Sequence, residues 1–257
     1  MTATLYAGTS GFAYPAWKPG FYPATVPAAK FLAYYATRLN CVEINYTFRR
    51  MPAASTLQTW VDLTPEGFSF VVKAHQQITH FRRLKDAAEP AAAFLAALEP
   101  LRAAGRLGPV LFQLPPNLKV DLERLAAFLE PLPPDTRYAF EFRDASWFVD
   151  DVYALLGEHG ASLCVAESDK LQVPDVITAA FVYYRLRKPT YGDADIDGVV
   201  SRSRQVLAGG RDVYVLFKHE DDPTGALYAE RVLAAGWPGR PAPPASCIPV
   251  CTRAHRR

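Results

Sequence analysis

Eight short apolar runs, each ending in polar or charged residues, alternate with segments of helical spacing in a chain of 257 residues, and these observations predict a single TIM-like (β/α)8 barrel. Unbroken runs rich in Val, Phe and Tyr suit a parallel sheet covered on both faces. Functional groups gathered where strands end suit a barrel whose site lies at its C-terminal face. A barrel of this kind needs ~250 residues, which leaves no room for a second domain beside it.

The runs are, in order, Leu5-Tyr6-Ala7-Gly8 before Thr9-Ser10, Cys41-Val42-Glu43-Ile44 before Asn45, and Phe68-Ser69-Phe70-Val71-Val72 before Lys73. Val110-Leu111-Phe112 leads to Gln113, Tyr138-Ala139-Phe140 to Glu141 and Arg143, and Leu163-Cys164-Val165-Ala166 to Glu167 and Asp169. Phe181-Val182-Tyr183-Tyr184 leads to Arg185 and Arg187, and Val213-Tyr214-Val215-Leu216-Phe217 to Lys218 and His219.

Between them, helices are predicted over 27–39, 56–63 and 87–105, the last a single long helix rich in Ala and Leu and ended by glycine. Others are predicted over 121–129, capped by Asp121 and stopped by prolines, then over 150–158, 196–207 and 225–235. The sixth crossover, 170–180, is too short for a helix with its turns, so the barrel is expected to be irregular there. The barrel is placed at 1–236. The Pro- and Gly-rich 237–257, which carries Cys247, Cys251 and His255, is expected to be a disordered tail.

A formal net charge of +2 gives no argument for nucleic acid or membrane by itself. No apolar stretch reaches the ~18 residues a membrane span requires, and the N-terminus shows no signal-peptide pattern, so a cytoplasmic location is expected. Cys41 and Cys164 fall inside strands and read as small core residues.

Several segments carry a family resemblance. They are Gly8-Thr9-Ser10-Gly11-Phe12 through Trp17, Val42-Glu43-Ile44-Asn45, Pro65-Glu66-Gly67-Phe68, Ile78-Thr79-His80, Gly108-Pro109, Gln113-Leu114-Pro115-Pro116-Asn117, Phe140-Glu141-Phe142-Arg143 with Ser146-Trp147-Phe148, and Tyr184-Arg185-Leu186. In fixed order from about Tyr6 to Val232, they resemble the YecE-like family, domain of unknown function 72. The resemblance implies a TIM-like barrel and no reaction. Many members carry Phe-Asn-Asn-Asp on the eighth strand, where this chain has Phe217-Lys218-His219-Glu220-Asp221.

The chemistry is therefore read from the strand ends. Residues two apart on a strand point the same way. If the first polar residue of each run faces the axis, the mouth holds Glu43, Lys73, Gln113, Glu141, Glu167, Arg185 and Lys218. Asn45, His75, Arg143, Asp169 and Arg187 follow two residues later, with His80 and His219 nearby. Catalytic roles are expected for Glu43, Glu141, Glu167 and Lys73, and ligand contacts for the others, with Tyr14, Trp17 and Trp147 as rim aromatics. A plain salt-bridged plug of the barrel end is the competing reading. So is a hydrophobic lid for the aromatics.

The cationic surplus points to an anionic, phosphate-bearing small molecule or a nucleic acid. Arg185 is expected as its anchor, because a planar guanidinium grips phosphate with two hydrogen bonds. Glu141 is expected to be ionised beside Arg143 or Arg185, and Glu43 to be the general acid or base. Three functions compete: phosphodiester hydrolysis, glycoside hydrolysis on paired carboxylates, and anion binding without turnover. The histidines His75, His80 and His219 with nearby carboxylates could hold one divalent ion or none, not a three-metal cluster.

Overall fold

A computed structural model describes residues 3–218 and 221–236; His219, Glu220 and the whole of 237–257 lie outside the described residues. The strands β1 (Leu5–Ser10), β2 (Cys41–Ile44), β3 (Ser69–Lys73), β4 (Leu107–Gln113), β5 (Tyr138–Glu141), β6 (Ser162–Ala166), β7 (Phe181–Leu186) and β8 (Asp212–Phe217) close into a barrel in sequence order. Every neighbouring pair is parallel, β1 to β8 included.

Alternation along the strands divides the apolar residues into two sets. One lines the interior: Cys41, Val71, Leu111, Ala139, Cys164 and Tyr183, with others. The second faces the helices and includes Val42, Val72, Phe112, Phe140, Val182 and Val215. Each strand is buried on both faces, which is why the runs read as continuously apolar. At β1 the chain has no room for a side chain at Gly8: a Cβ there would fall 1.8 Å from the Cys41 carbonyl oxygen and 2.8 Å from the Tyr35 hydroxyl. The buried Tyr35 hydroxyl fastens the same junction, donating to that carbonyl at 2.8 Å and accepting from the Thr9 backbone N–H at 2.9 Å.

The helices are α1 (Phe31–Arg38), α2 (Ala54–Asp62), α3 (Ala88–Ala97), α4 (Glu99–Ala103), α5 (Leu122–Leu129), α6 (Asp150–Glu158), α7 (Asp193–Ala208) and α8 (Thr224–Gly236). Asp121 caps α5 as expected, its carboxylate accepting from the Arg124 N–H at 3.0 Å. The long third helix is two helices instead of one. Pro100 cannot donate to the preceding turn, so it starts α4 rather than continuing α3. The α7 helix begins three residues before the predicted start at 196, with Asp195 folding back onto the Gly192 N–H at 3.0 Å.

No helix forms between β6 and β7, as the short sixth crossover predicted. That segment is pinned by Thr178, whose hydroxyl donates to the Ala161 carbonyl and accepts from the Leu163 N–H. Among the described residues, no helix is long and apolar enough to cross a membrane.

Candidate site at the barrel mouth

Three strand-end residues meet on the barrel axis. Glu43 lies near the end of β2, Glu141 closes β5 and Arg185 lies near the end of β7, and all three are buried. Arg185 bridges the carboxylates: Nη2 donates to Glu43 Oε1 at 2.6 Å, and Nη1 donates to Glu141 Oε2. Glu43 also accepts from the hydroxyls of Ser10 at 2.8 Å and Tyr183 at 2.6 Å, and from the Asn45 amide at 3.0 Å. Glu141 accepts from Arg143 Nε at 3.0 Å and from Arg187 Nη2 at 3.3 Å. The residues come from four different strands and the turns that follow them, β1, β2, β5 and β7, so only barrel closure assembles them.

Burial pushes the Glu43 carboxyl up, but the Arg185 charge and hydrogen bond, with Tyr183 and Ser10, outweigh it and hold the group below its ordinary value. In Glu141 burial is likewise overcome, by Arg185, Arg187 and Arg143, and the group is held well below the carboxylate range. The expectation for Glu141 thus holds, whereas Glu43 is not a raised acid. The donors around it favour the anion, so its assignment as general acid or base is withdrawn. Arg185 is also misassigned as the ligand anchor: its forked nitrogens are already engaged by two carboxylates and its side chain is 5% exposed.

The accessible cations form a second tier above this plug. Arg143 and Arg187 each retain exposed surface while touching Glu141. Lys73, at the end of β3, donates to Gln113 Oε1 at 2.7 Å and lies 4.1 Å over the Phe48 ring. Burial lowers its ammonium, the Arg185 charge lowers it further, and the two carboxylates offset only part of this, so its pKa falls to about 8. The Gln113 amide is buried beside Glu141 and helps to hold that carboxylate as the anion. Two carboxylates, Glu43 and Glu141, thus face four cations, Lys73, Arg143, Arg185 and Arg187, a surplus of two positive charges among groups that act on one another electrostatically.

The remaining predicted residues lie outside this cluster. Glu167 faces away from the axis: Cys164 and Ala166 occupy the interior positions of β6, so the residue after them has the opposite parity. Its Oε2 instead holds the loop after β7, accepting from the N–H groups of Arg187 and Lys188 and from the Tyr191 hydroxyl. Asp169 is exposed in a cleft under the sixth crossover with Lys170 and Lys188. His75 turns toward a groove beside Met51 and Arg82, and its Nδ1 accepts from the Gln77 N–H at 3.2 Å. His80 stays at the rim, its ring 4.8 Å from Phe48, and burial followed by the Lys73 and Arg143 charges lowers its pKa. Lys218 is exposed at the end of β8.

Trp17 and Trp147 are not ligand contacts, because both are fully buried. Trp147 stacks on Phe142 at 4.5 Å and donates its indole N–H to the Leu118 carbonyl, and Trp17 packs against Phe21 and Tyr22. These aromatics are the packed lid of the competing expectation. Tyr14 is half-buried, its hydroxyl donating to the Ser10 carbonyl at 2.9 Å. Tyr183, Ser10 and Phe48 belong to the site but were absent from the expected set. Alternation puts Tyr183 on the same side of β7 as Arg185, a signal present in the sequence that could have found it. Among the described residues, no group of three His, Cys, Asp or Glu side chains is arranged to hold a metal ion.

Residues 6–244 match the family model described as Protein of unknown function DUF72. Among curated proteins, the UPF0759 protein YunF of Bacillus subtilis (strain 168) is 31% identical over 155 residues, which cover 58% of this chain and 54% of that protein. The matched region thus spans about half the length of that relative. Among solved structures, a DUF72 family protein from Thermotoga maritima MSB8 superimposes with a TM-score of 0.80 at 26% identity, covering 90% of this chain and 98% of the other. A second DUF72 family protein, from Enterococcus faecalis V583, gives 0.71 at 21% identity over 90% and 98% of the two chains, a likeness of fold.

Proposed function

The chain belongs to the DUF72 family, whose description names no reaction, and we propose that its barrel mouth binds a phosphate-containing ligand through Arg143, Arg187 and Lys73. The observation that carries this is the charge surplus above the axial plug: Arg185 satisfies the carboxylates from below, while three further cations lie around Glu141 and Gln113. Guanidinium groups that keep exposed surface beside a buried countercharge are pre-positioned, so a phosphate would meet ordered donors.

Glycoside hydrolysis is disfavoured by the same geometry. It calls for a carboxyl kept protonated as the acid, whereas Glu43 and Glu141 are both held as anions. Phosphodiester hydrolysis needs a base for the attacking water, and both axial carboxylates are committed to Arg185. Binding is accordingly the assigned role, with Lys73 the mouth group able to pass a proton near neutral pH.

The lysine supplies the test. Its protonated form favours an anion, so binding is full below its free-state pKa of about 8 and weakens as the pH rises through it. Calorimetric titration with a dinucleoside monophosphate, a diester of constant charge, should show affinity falling at least about tenfold from neutral to alkaline pH, as expected for loss of a charged hydrogen bond. Lys73→Met should bind weakly at every pH with a flat profile. A wild-type profile as flat as the variant's would remove Lys73 from the site, and equal affinity for a neutral disaccharide would remove the phosphate assignment.

A further inference from the structure

We infer that the rim formed by the loops after β2 and β3 is a track for a single-stranded polynucleotide whose backbone leads to the mouth; this rests on the phosphate-binding role and names the ligand class. Isolated apolar residues on a surface are ordinary. Here three of them, Tyr46, Met51 and Phe81, are exposed on two loops that also carry Arg49, Arg50, Arg82 and Arg83. Phe81 is 72% exposed, the most exposed large apolar side chain among the described residues. Residues 45–52 contain no acidic side chain and 74–86 only Asp86, so the rim is strongly cationic.

The two loops form one surface that joins the mouth. The Phe48 ring meets His80 edge-on at 4.8 Å on one side and underlies the Lys73 ammonium on the other. Met51 and Arg82 line the same groove. The loop after β3 is held in an unusual shape: a π-helix over Gln77–Phe81 is followed by left-handed backbone at Arg83, Leu84 and Asp86, with φ of 52°, 67° and 49°. Residues with side chains adopt that region at a cost. Here Leu84 is buried, its N–H bonds the Ile78 carbonyl at 3.0 Å, and Arg82 Nη1 bonds the Asp86 carbonyl at 2.8 Å. The result is a fixed loop that turns Phe81 and Arg82 to solvent.

Alternating arginines and exposed apolar rings match a strand of unpaired bases. Phosphates meet guanidinium groups, and each base offers a π-face to an aromatic side chain without regard to sequence. A duplex keeps its bases stacked on one another and gives Phe81 nothing to stack on. An acidic polypeptide would satisfy the arginines but not the ring.

The test is fluorescence anisotropy of a labelled thymidine oligonucleotide of about a dozen nucleotides, within the ~4–16 that single-strand sites span, beside calorimetry of thymidine monophosphate on the same full-length protein. Wild type should bind the oligonucleotide more tightly than the monophosphate, and more tightly than a duplex of equal length. Phe81→Ala should weaken oligonucleotide binding roughly tenfold, the range for loss of one stacked base, with the salt slope unchanged. The double variant Arg49→Ala/Arg50→Ala should reduce the slope of log K against log salt by about 1.4, at ~0.7 per phosphate contact. Both variants should melt like wild type and bind monophosphate unchanged.

Monophosphate bound but oligonucleotide held no tighter overturns the rim alone, as does a duplex bound equally well or a pair of indifferent variants. Preference for polyglutamate over the oligonucleotide overturns it in favour of an acidic protein partner. If neither nucleotide ligand binds, the mouth assignment fails and the rim with it.

Discussion

Replacing Arg185 by Met is expected to destabilise the protein by about 3–5 kcal/mol, the usual cost of breaking a buried ion pair from one side. The substitution keeps the volume roughly constant, so the loss is electrostatic. Glu43 and Glu141 would be left in the barrel interior without the guanidinium that bridges them. The pH dependence identifies this cause. In the wild type both carboxyls are held below their ordinary values, so their contribution is present above the unfolded carboxylate range and is lost as the pH falls toward their lowered values. In the variant, burial acts on Glu43 against the hydrogen bonds of Tyr183, Ser10 and Asn45 alone, without the guanidinium charge, and the group titrates upward from its wild-type position. The variant should then be least stable where both carboxyls are ionised and should recover as the pH falls. Thermal melts from neutral to mildly acid pH should show the gap between the two proteins narrowing. A constant gap would mean that Arg185 contributes by packing alone.

The second large effect is expected on binding. Arg143→Ala/Arg187→Ala removes both accessible guanidinium groups while Arg185 still neutralises Glu141. Two charged hydrogen bonds at roughly 1.5–3 kcal/mol each predict a loss of phosphate affinity of at least about a hundredfold. Because both side chains retain exposed surface, the melting temperature should move little by comparison with the Arg185 variant. The corresponding double lysine variant keeps the charge but loses the planar fork, and should fall between the two proteins. Calorimetry with a phosphate monoester resolves the three. Undiminished binding in the double alanine variant would place the ligand elsewhere.

Much of the barrel was legible because its strands advertise themselves: a run such as Val213-Tyr214-Val215-Leu216-Phe217 has no amphipathic reading and must be covered on both sides. The axial plug was legible for a related reason. Glu43, Glu141 and Arg185 are charged residues set at the ends of apolar strands, where one orientation points each into the interior. That inference failed for Glu167, since Leu163-Cys164-Val165-Ala166 is apolar throughout and carries no mark of which face is inner. Trp17 and Trp147 were misplaced because a sequence records an aromatic residue but not the neighbours that bury it. The lowered pKa of Lys73 depends on its burial and on the charges of Arg185 and Arg143, partly offset by two carboxylates from distant strands, and no local pattern encodes that meeting. The split between α3 and α4, by contrast, was written in the chain at Pro100.

The mouth is proposed to be an anion site built on a neutralised arginine. A crystal soaked with a phosphate monoester tests it directly. The expected result is a phosphate group within hydrogen-bonding distance of Arg143, Arg187 and Lys73, with Arg185 still bridging Glu43 and Glu141. A phosphate seated in the cleft under the sixth crossover out of reach of Arg143 and Lys73, or one that draws Arg185 away from its carboxylates, would contradict it.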